Sequence, residues 1–222
     1  MRKVLPLLVI AFCLLIGACK KDVPDFTGFE DTTEDVNGNY QPTTKGSYWM
    51  YASSGEGQDA DTLVTTMLGT TVKFGDKTYK AATSKIASEI TTAASYFYHS
   101  GGTYIERDIE DGETTEILYL KSGAAIGDTW EAIPLLDPTQ VDGSARALGK
   151  MVEKNISKTI FGKPFNNVIH TQIDLQVKND NGDFETFTLL DYYIAKDIGV
   201  IESDATILGV TVKSELYNYS IK

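Results

Sequence analysis

Apolar and polar residues alternate most cleanly along Val168–Val177, where Ile169, Thr171, Ile173, Leu175 and Val177 share one face and His170, Gln172, Asp174 and Gln176 the other. Period two with one wet face predicts an antiparallel strand solvated on one side. The same rhythm recurs on both sides of it. Ser47–Tyr51, Leu63–Leu68, Thr103–Ile109, Thr114–Leu120, Phe184–Ala195, Val200–Ser203, Ile207–Lys213 and Glu215–Ile221 read as strands. Turn chemistry separates them. Gly75-Asp76-Lys77 divides Val72–Phe74 from Thr78–Lys80, Ser100-Gly101-Gly102 divides Ser95–His99 from Thr103–Ile109, and Asn179–Asp183 precedes Phe184; each is a hairpin signal. Helical patterning is weak. Ala81–Ala94 and Ser144–Val152 are the two candidates for short helices. The expectation is an all-β domain: a single antiparallel, strongly curved sheet, sandwich or open barrel, with room for one or two short helices.

The first nineteen residues follow a different rule. Arg2 and Lys3 precede an apolar run from Val4 to Ile16, which ends in Gly17-Ala18-Cys19 before Lys20-Lys21-Asp22. The run has the length of a secretory h-region and is short for a membrane span. A cysteine directly after two small residues matches the lipobox of bacterial lipoproteins, with Ile16 at the aliphatic position. The expected cleavage lies between Ala18 and Cys19, with lipidation of the Cys19 sulfur. Cys13 leaves with the signal peptide, so no disulfide is available to the mature domain, although an oxidising compartment would permit one. Each buried CH₂ contributes about 0.8 kcal/mol, and two or more acyl chains make a durable anchor.

Residues 20–45 are rich in Asp, Glu, Thr, Gly and Asn and poor in apolar side chains. Such a stretch cannot bury enough surface to offset ordering. A flexible tether of this length reaches roughly 25–30 Å. The domain scheme is therefore 1–18 signal peptide, 19–45 lipidated Cys and acidic tether, and 46–222 β domain.

The intact chain carries a net charge of −11, and loss of Arg2 and Lys3 with the signal peptide takes it to −13. That sign repels phosphate backbones and anionic lipid. Nucleic acid is not an expected partner, and membrane attachment rests on the acyl anchor. Twelve Tyr and 19 Gly against 6 Pro suit sheets and turns.

Candidate chemistry is sparse. His99 and His170 lie far apart, and neither has a Cys or His at ligand spacing; a solvated histidine is the simpler reading of His170. No Gly-x-Ser-x-Gly elbow or Gly-rich phosphate loop occurs. Glu106, Asp108 and Glu110 alternate on one face of a strand, with about 6.5–7 Å between neighbours. That spacing suits an inverting glycosidase, but an outer, solvated row is the simpler reading. Asp35–Asn39 and Asn179–Asp183 place oxygens at alternate positions, as calcium loops do, yet the twelfth position is Gly46 in one and Leu190 in the other. Tether and turn fit better. No cofactor and no catalytic or metal-ligating residue is assigned. Tyr96 and Tyr98, and likewise Tyr217 and Tyr219, alternate along their strands and form candidate binding-surface aromatics, against the alternative of rings packed in the core. Phe74-Gly75-Asp76-Lys77 echoes Phe161-Gly162-Lys163, through half-domain duplication or, more simply, recurrent hairpin chemistry.

Four segments together carry a resemblance: Thr44–Trp49, Gly127–Trp130, Phe161–Ile169 and Tyr192-Tyr193-Ile194-Ala195-Lys196-Asp197-Ile198-Gly199-Val200-Ile201. The chain resembles the outer-membrane lipoproteins common in Bacteroidetes, whose signature Tyr-Tyr-x-Ala-Lys-Gly-Val-Gly-Leu precedes the last strands. Asp197 and Ile198 depart from it. The resemblance implies a β-rich, lipid-anchored, exported domain on the outer membrane, at its periplasmic face or the cell surface, and implies no reaction. Three functions follow as expectations. The first is a non-catalytic binding or envelope-assembly module, with an envelope protein or glycan as partner. The others are a carrier of apolar ligand in a curved half-barrel and a glycan-acting hydrolase.

Overall fold

In the computed structural model, residues 38–55, 60–88, 92–110, 113–135 and 143–222 are described. Signal peptide, Cys19 and most of the acidic stretch lie outside them. Twelve strands form one antiparallel sheet: β1 Tyr48–Gly55, β2 Asp61–Phe74, β3 Lys77–Ile86, β4 Ala93–Ser100, β5 Thr103–Glu110, β6 Glu113–Lys121, β7 Thr129–Ala132, β8 Ala145–Ile160, β9 Lys163–Lys178, β10 Phe184–Ala195, β11 Gly199–Ile207 and β12 Val210–Ser220. The spatial order is β6-β5-β4-β3-β2-β1-β12-β11-β10-β9-β8-β7. Chain neighbours therefore pair throughout except at β6 and β7, and β12 returns to β1. Only β6 and β7 are left at the edges. A two-bond bridge between Glu116 and Leu135 joins them, with N···O distances of 2.7 and 3.2 Å. The sheet is nearly closed into a barrel.

No helix occurs among the described residues. Both helix candidates are strands: Ala81–Ala94 spans the end of β3 and the start of β4, and Ser144–Val152 opens β8. Their small residues are there for packing. Gly149 sits opposite Trp130 in the β7–β8 register, and a Cβ added there would fall inside the indole. Ala81 and Ala82 are both buried, one on each face of β3.

Three of the tight hairpins use left-handed backbone at both turn residues. Gly101 and Gly102 have φ of 55° and 79°, Phe161 and Gly162 have 47° and 76°, and Leu208 and Gly209 have 50° and 82°. This twist matches that of the flanking strands.

Barrel closure splits the side chains into lumen and outer rows. Trp49, Met67, Ala82, Phe97 and Leu216 pack together from one side of the lumen; Tyr119, Trp130, Met151, Ile173, Leu175 and Leu190 pack from the other. A third cluster lies outside. Ala81, Tyr96, Arg107 and Glu116 occupy one register row across β3–β6, and Val72, Phe74, Tyr79 and Ile105 join that face. The β2–β3 hairpin supplies Phe74, whose ring meets Tyr96 edge-on at 5.0 Å and carries the Arg107 guanidinium at 4.0 Å.

The folded body starts before Ser47. Tyr40 and Gln41 are buried. Tyr104 Oη donates to Gly38 O at 3.2 Å, and Asp197 N donates to Asn39 O at 2.6 Å. This segment closes the end of the barrel at which β1 begins. Both halves of the sheet open alike. Gly46 N donates to Met67 O, Met67 N to Ser47 O and Ser47 N to Thr44 O, at 2.9–3.0 Å; Gly127, Met151, Asp128 and Ala125 repeat the arrangement at 2.8–3.0 Å. Trp49 and Trp130 each follow three residues after the glycine. The echo seen in the hairpins thus extends to strands β1–β2 and β7–β8.

Candidate functional site

The lumen is not completely filled. A cavity of about 140 Å³ remains, bounded by β1–β6 on one side and β10–β12 on the other. Period-two alternation aims Leu63 and Thr65, Ser84 and Ile86, Ser95 and Phe97, Glu106 and Asp108, and Thr115 and Ile117 into it from successive strands. Tyr51, Tyr192, Ser203, Ala205, Val212 and Ser214 face them.

Most polar groups of this wall are already engaged. Thr65, Ser84 and Ser95 form a hydroxyl chain at 2.9 and 2.8 Å. Tyr51 Oη donates to Val200 O at 3.0 Å, and Trp49 Nε1 to Ile198 O at 2.6 Å. Gln41 Oε1 accepts from Tyr119 Oη at 3.4 Å. Their rings and hydrocarbon, more than their donors, are what the cavity presents.

Glu106 is the exception. Among the described residues it makes no hydrogen bond, and burial, reinforced by the charge of Asp108, holds its carboxyl well above the ordinary glutamate range. Burial and then the Glu106 charge push the hydroxyls of Tyr51, Tyr119 and Tyr192 upward, so these phenols stay neutral. The outcome is a pocket walled by aromatic and hydroxyl side chains with two carboxyl groups on one strand.

This barrel has a solved counterpart. No family profile and no curated protein matches the chain. A protein from Parabacteroides distasonis described as a lipoprotein superposes with a TM-score of 0.53 at 11% identity, over 82% of this chain and 99% of its own. An exported protein with a YmcC-like fold from Bacteroides fragilis aligns with a TM-score of 0.46 at 10% identity, over 81% of this chain and 97% of its own. At 11% identity, what the first comparison shows is a shared fold.

The remaining sequence candidates lie elsewhere. Tyr96 is buried in the outer cluster and Tyr98 packs beside it, its ring 5.5 Å from Tyr79. Tyr219 rests against Phe165 at 6.3 Å with Lys163 over its face at 4.0 Å, while Tyr217 is exposed beside the β1–β12 bulge. The two pairs do not form one surface. His170 stands on the outer face but is covered. It is held between Asp191 at 2.7 Å and Glu153 at 3.3 Å and stacked on Tyr193 at 4.2 Å. Beside it, the buried carboxylate of Glu202 binds Lys213 at 2.6 Å and Lys158 at 3.1 Å. His99 stacks on Tyr104 at 5.7 Å. Asn179 Oδ1 accepts backbone N–H from Asn181 and Asp183 at 2.9 and 3.0 Å, so it closes a turn. The first calcium-like loop lies mostly outside the described residues. Glu106 and Asp108 face inward, not outward as the simpler sequence reading had it.

Proposed function

We propose that the chain is an exported lipoprotein, held on the outer membrane by acyl chains on Cys19, whose barrel acts as a non-catalytic binding module for a small ligand. The observation that carries the binding part is the lumen cavity with the Glu106 carboxyl in its wall, making no hydrogen bond among the described residues. A buried polar group without a partner is costly, and proteins keep few of them; a ligand that completes its hydrogen bonding accounts for its retention. The cavity is smaller than the roughly 300–1,000 Å³ of typical sites for larger ligands. It is also lined by carboxyl and hydroxyl groups, which disfavours an acyl chain. Glycoside hydrolysis places two carboxyl groups on opposite sides of the bond to be cut. Here Glu106 and Asp108 are neighbours on one strand, which favours binding over hydrolysis. The anchor reading draws on the lipobox and on a fold counterpart described as a lipoprotein.

Cell fractionation of wild type and Cys19→Ser tests the anchor. Wild type is expected with the outer membrane and in the detergent phase, and the variant free of membrane. Equal release of both proteins overturns the anchored reading.

A further inference from the structure

Resting on the binding reading above, we propose that the lumen cavity takes a small organic cation: an ammonium group held by Glu106 and Asp108, and a hydrocarbon or aryl body held against Phe97, Tyr51 and Tyr192. Three features select this chemistry. Size comes first: about 140 Å³ is close to the roughly 150 Å³ of an apolar cavity that accepts benzene, so the ligand has one small ring or a short branched chain. The second is the donor inventory. Hydroxyls of Thr65, Ser84 and Ser95 satisfy one another, and Tyr51 and Trp49 give their protons to backbone carbonyls. A sugar would find few groups left to read its hydroxyls. What the wall still offers is a carboxyl group that accepts, which calls for a donor on the ligand. The third is charge. The ionised neighbour acting on Glu106 is Asp108, so the pair repels. An ammonium between them removes that repulsion and forms charge-assisted hydrogen bonds, and aromatic faces add cation–π attraction. The groups facing Glu106 from other strands are the neutral phenols Tyr51 on β1, Tyr119 on β6 and Tyr192 on β10, which do not compete for it, and Asp204 on β11, whose carboxylate is held by Lys213 at 3.1 Å.

The test is calorimetric titration of the full mature chain in detergent with cyclohexylammonium and with its neutral isostere cyclohexanol. At neutral pH the ammonium probe is expected to bind at least ten-fold more tightly. Glu106→Gln should erase that preference, and binding should weaken as falling pH protonates Glu106. Ala205→Leu, which fills the cavity from β11, should abolish binding of both probes; together with Asp108→Asn it serves where Glu106→Gln fails to fold. Equal binding of both probes, unaffected by Glu106→Gln, overturns the cation assignment and leaves the cavity a binding site. Binding that survives Ala205→Leu, or no binding of either probe, overturns the lumen site itself. Calcium binding with no ammonium binding overturns the organic ligand.

Discussion

Glu106 stands inside the barrel because the outer face of its strand is already occupied. Ile105, Arg107 and Ile109 face outward, under the cover of Phe74, Tyr79 and Tyr96. The raised affinity of Glu106 for its proton has a stability consequence with a definite sign. The native state keeps the proton through a pH window in which the unfolded chain has lost it, so stability falls as pH rises from the ordinary glutamate range through the raised value. Glu106→Gln removes the charge and keeps the shape. The variant no longer has a charge to desolvate beside Asp108, and it is expected to be more stable than wild type at neutral pH by about 1.4 kcal/mol for each tenfold by which burial raises the proton affinity of Glu106. The advantage should shrink toward zero near pH 4. Urea denaturation at a series of pH values measures it, and a constant difference across pH would refute the burial argument. Alternation alone showed that Glu106 and Asp108 share a face. It could not show which face is wet, because period two carries no inside or outside. In a barrel whose hairpin folds over its own outer wall, apolar and acidic rows exchange their usual places. His170 was misread for a related reason. Its strand face is polar, as the pattern says, but Asp191, Glu153 and Tyr193 cover it.

At the scale of elements, strands with strict alternation and glycine-marked turns were legible, and Ala-rich segments were not. Val168–Val177 and the Gly101-Gly102 hairpin are found as read. Ala81–Ala94 and Ser144–Val152 contain good helix formers, yet β propensity reflects fit to a half-buried pleated surface. Small residues fit where a ring sits opposite, as Trp130 does over Gly149. Two hairpins run against local preference, at Phe161 and at Leu208. Phe161 adopts φ of 47° at the first position of the two-residue turn between β8 and β9, with 62% of its surface exposed. Left-handed backbone costs a residue with a Cβ about 1–2 kcal/mol, and Asn tolerates it best after Gly. Phe161→Asn should therefore stabilise the protein by about 0.5–1 kcal/mol, read as a rise in the denaturation midpoint at unchanged slope. A fall in midpoint would mean that the Phe161 ring makes contacts worth more than the strain of its backbone.

For the whole molecule, the two six-strand halves meet at two seams of unequal strength. β1 and β12 pair from Tyr48↔Ser220 to Gly55↔Val212. Among the described residues, the equivalent junction of β6 with β7 and the residues after it is the bridge Glu116↔Leu135. The repeated hydrogen bonding around Gly46 and Gly127 shows that both halves start their sheets the same way. The difference arises because β7 spans only Thr129–Ala132, whereas β1 spans Tyr48–Gly55. Closure of this kind was out of reach from the sequence. It depends on a contact between Glu116 and a residue beyond the end of a strand, with no pattern of its own. Side chains support the seam: Glu116 Oε2 accepts from Tyr79 Oη at 2.8 Å and from Arg107 at 3.0 Å within one half, and Thr171 Oγ1 on β9 donates across it to Tyr119 O at 2.8 Å. The core strands β9 and β10, paired along most of their length and flanked on both sides, have no such weak margin. Local opening follows the least-paired edge. Native-state hydrogen exchange should therefore show β6 and β7 amides opening with a smaller free energy than those of β9 and β10. Leu135→Pro deletes the donor of one bridge bond. A net hydrogen bond is worth about 0.5–1.5 kcal/mol, so exchange in β6 and β7 should accelerate roughly 2–10-fold while β9 and β10 keep their rates. If exchange rises equally in all four strands, the barrel opens only as a whole, and the seam is as strong as the junction of β1 with β12.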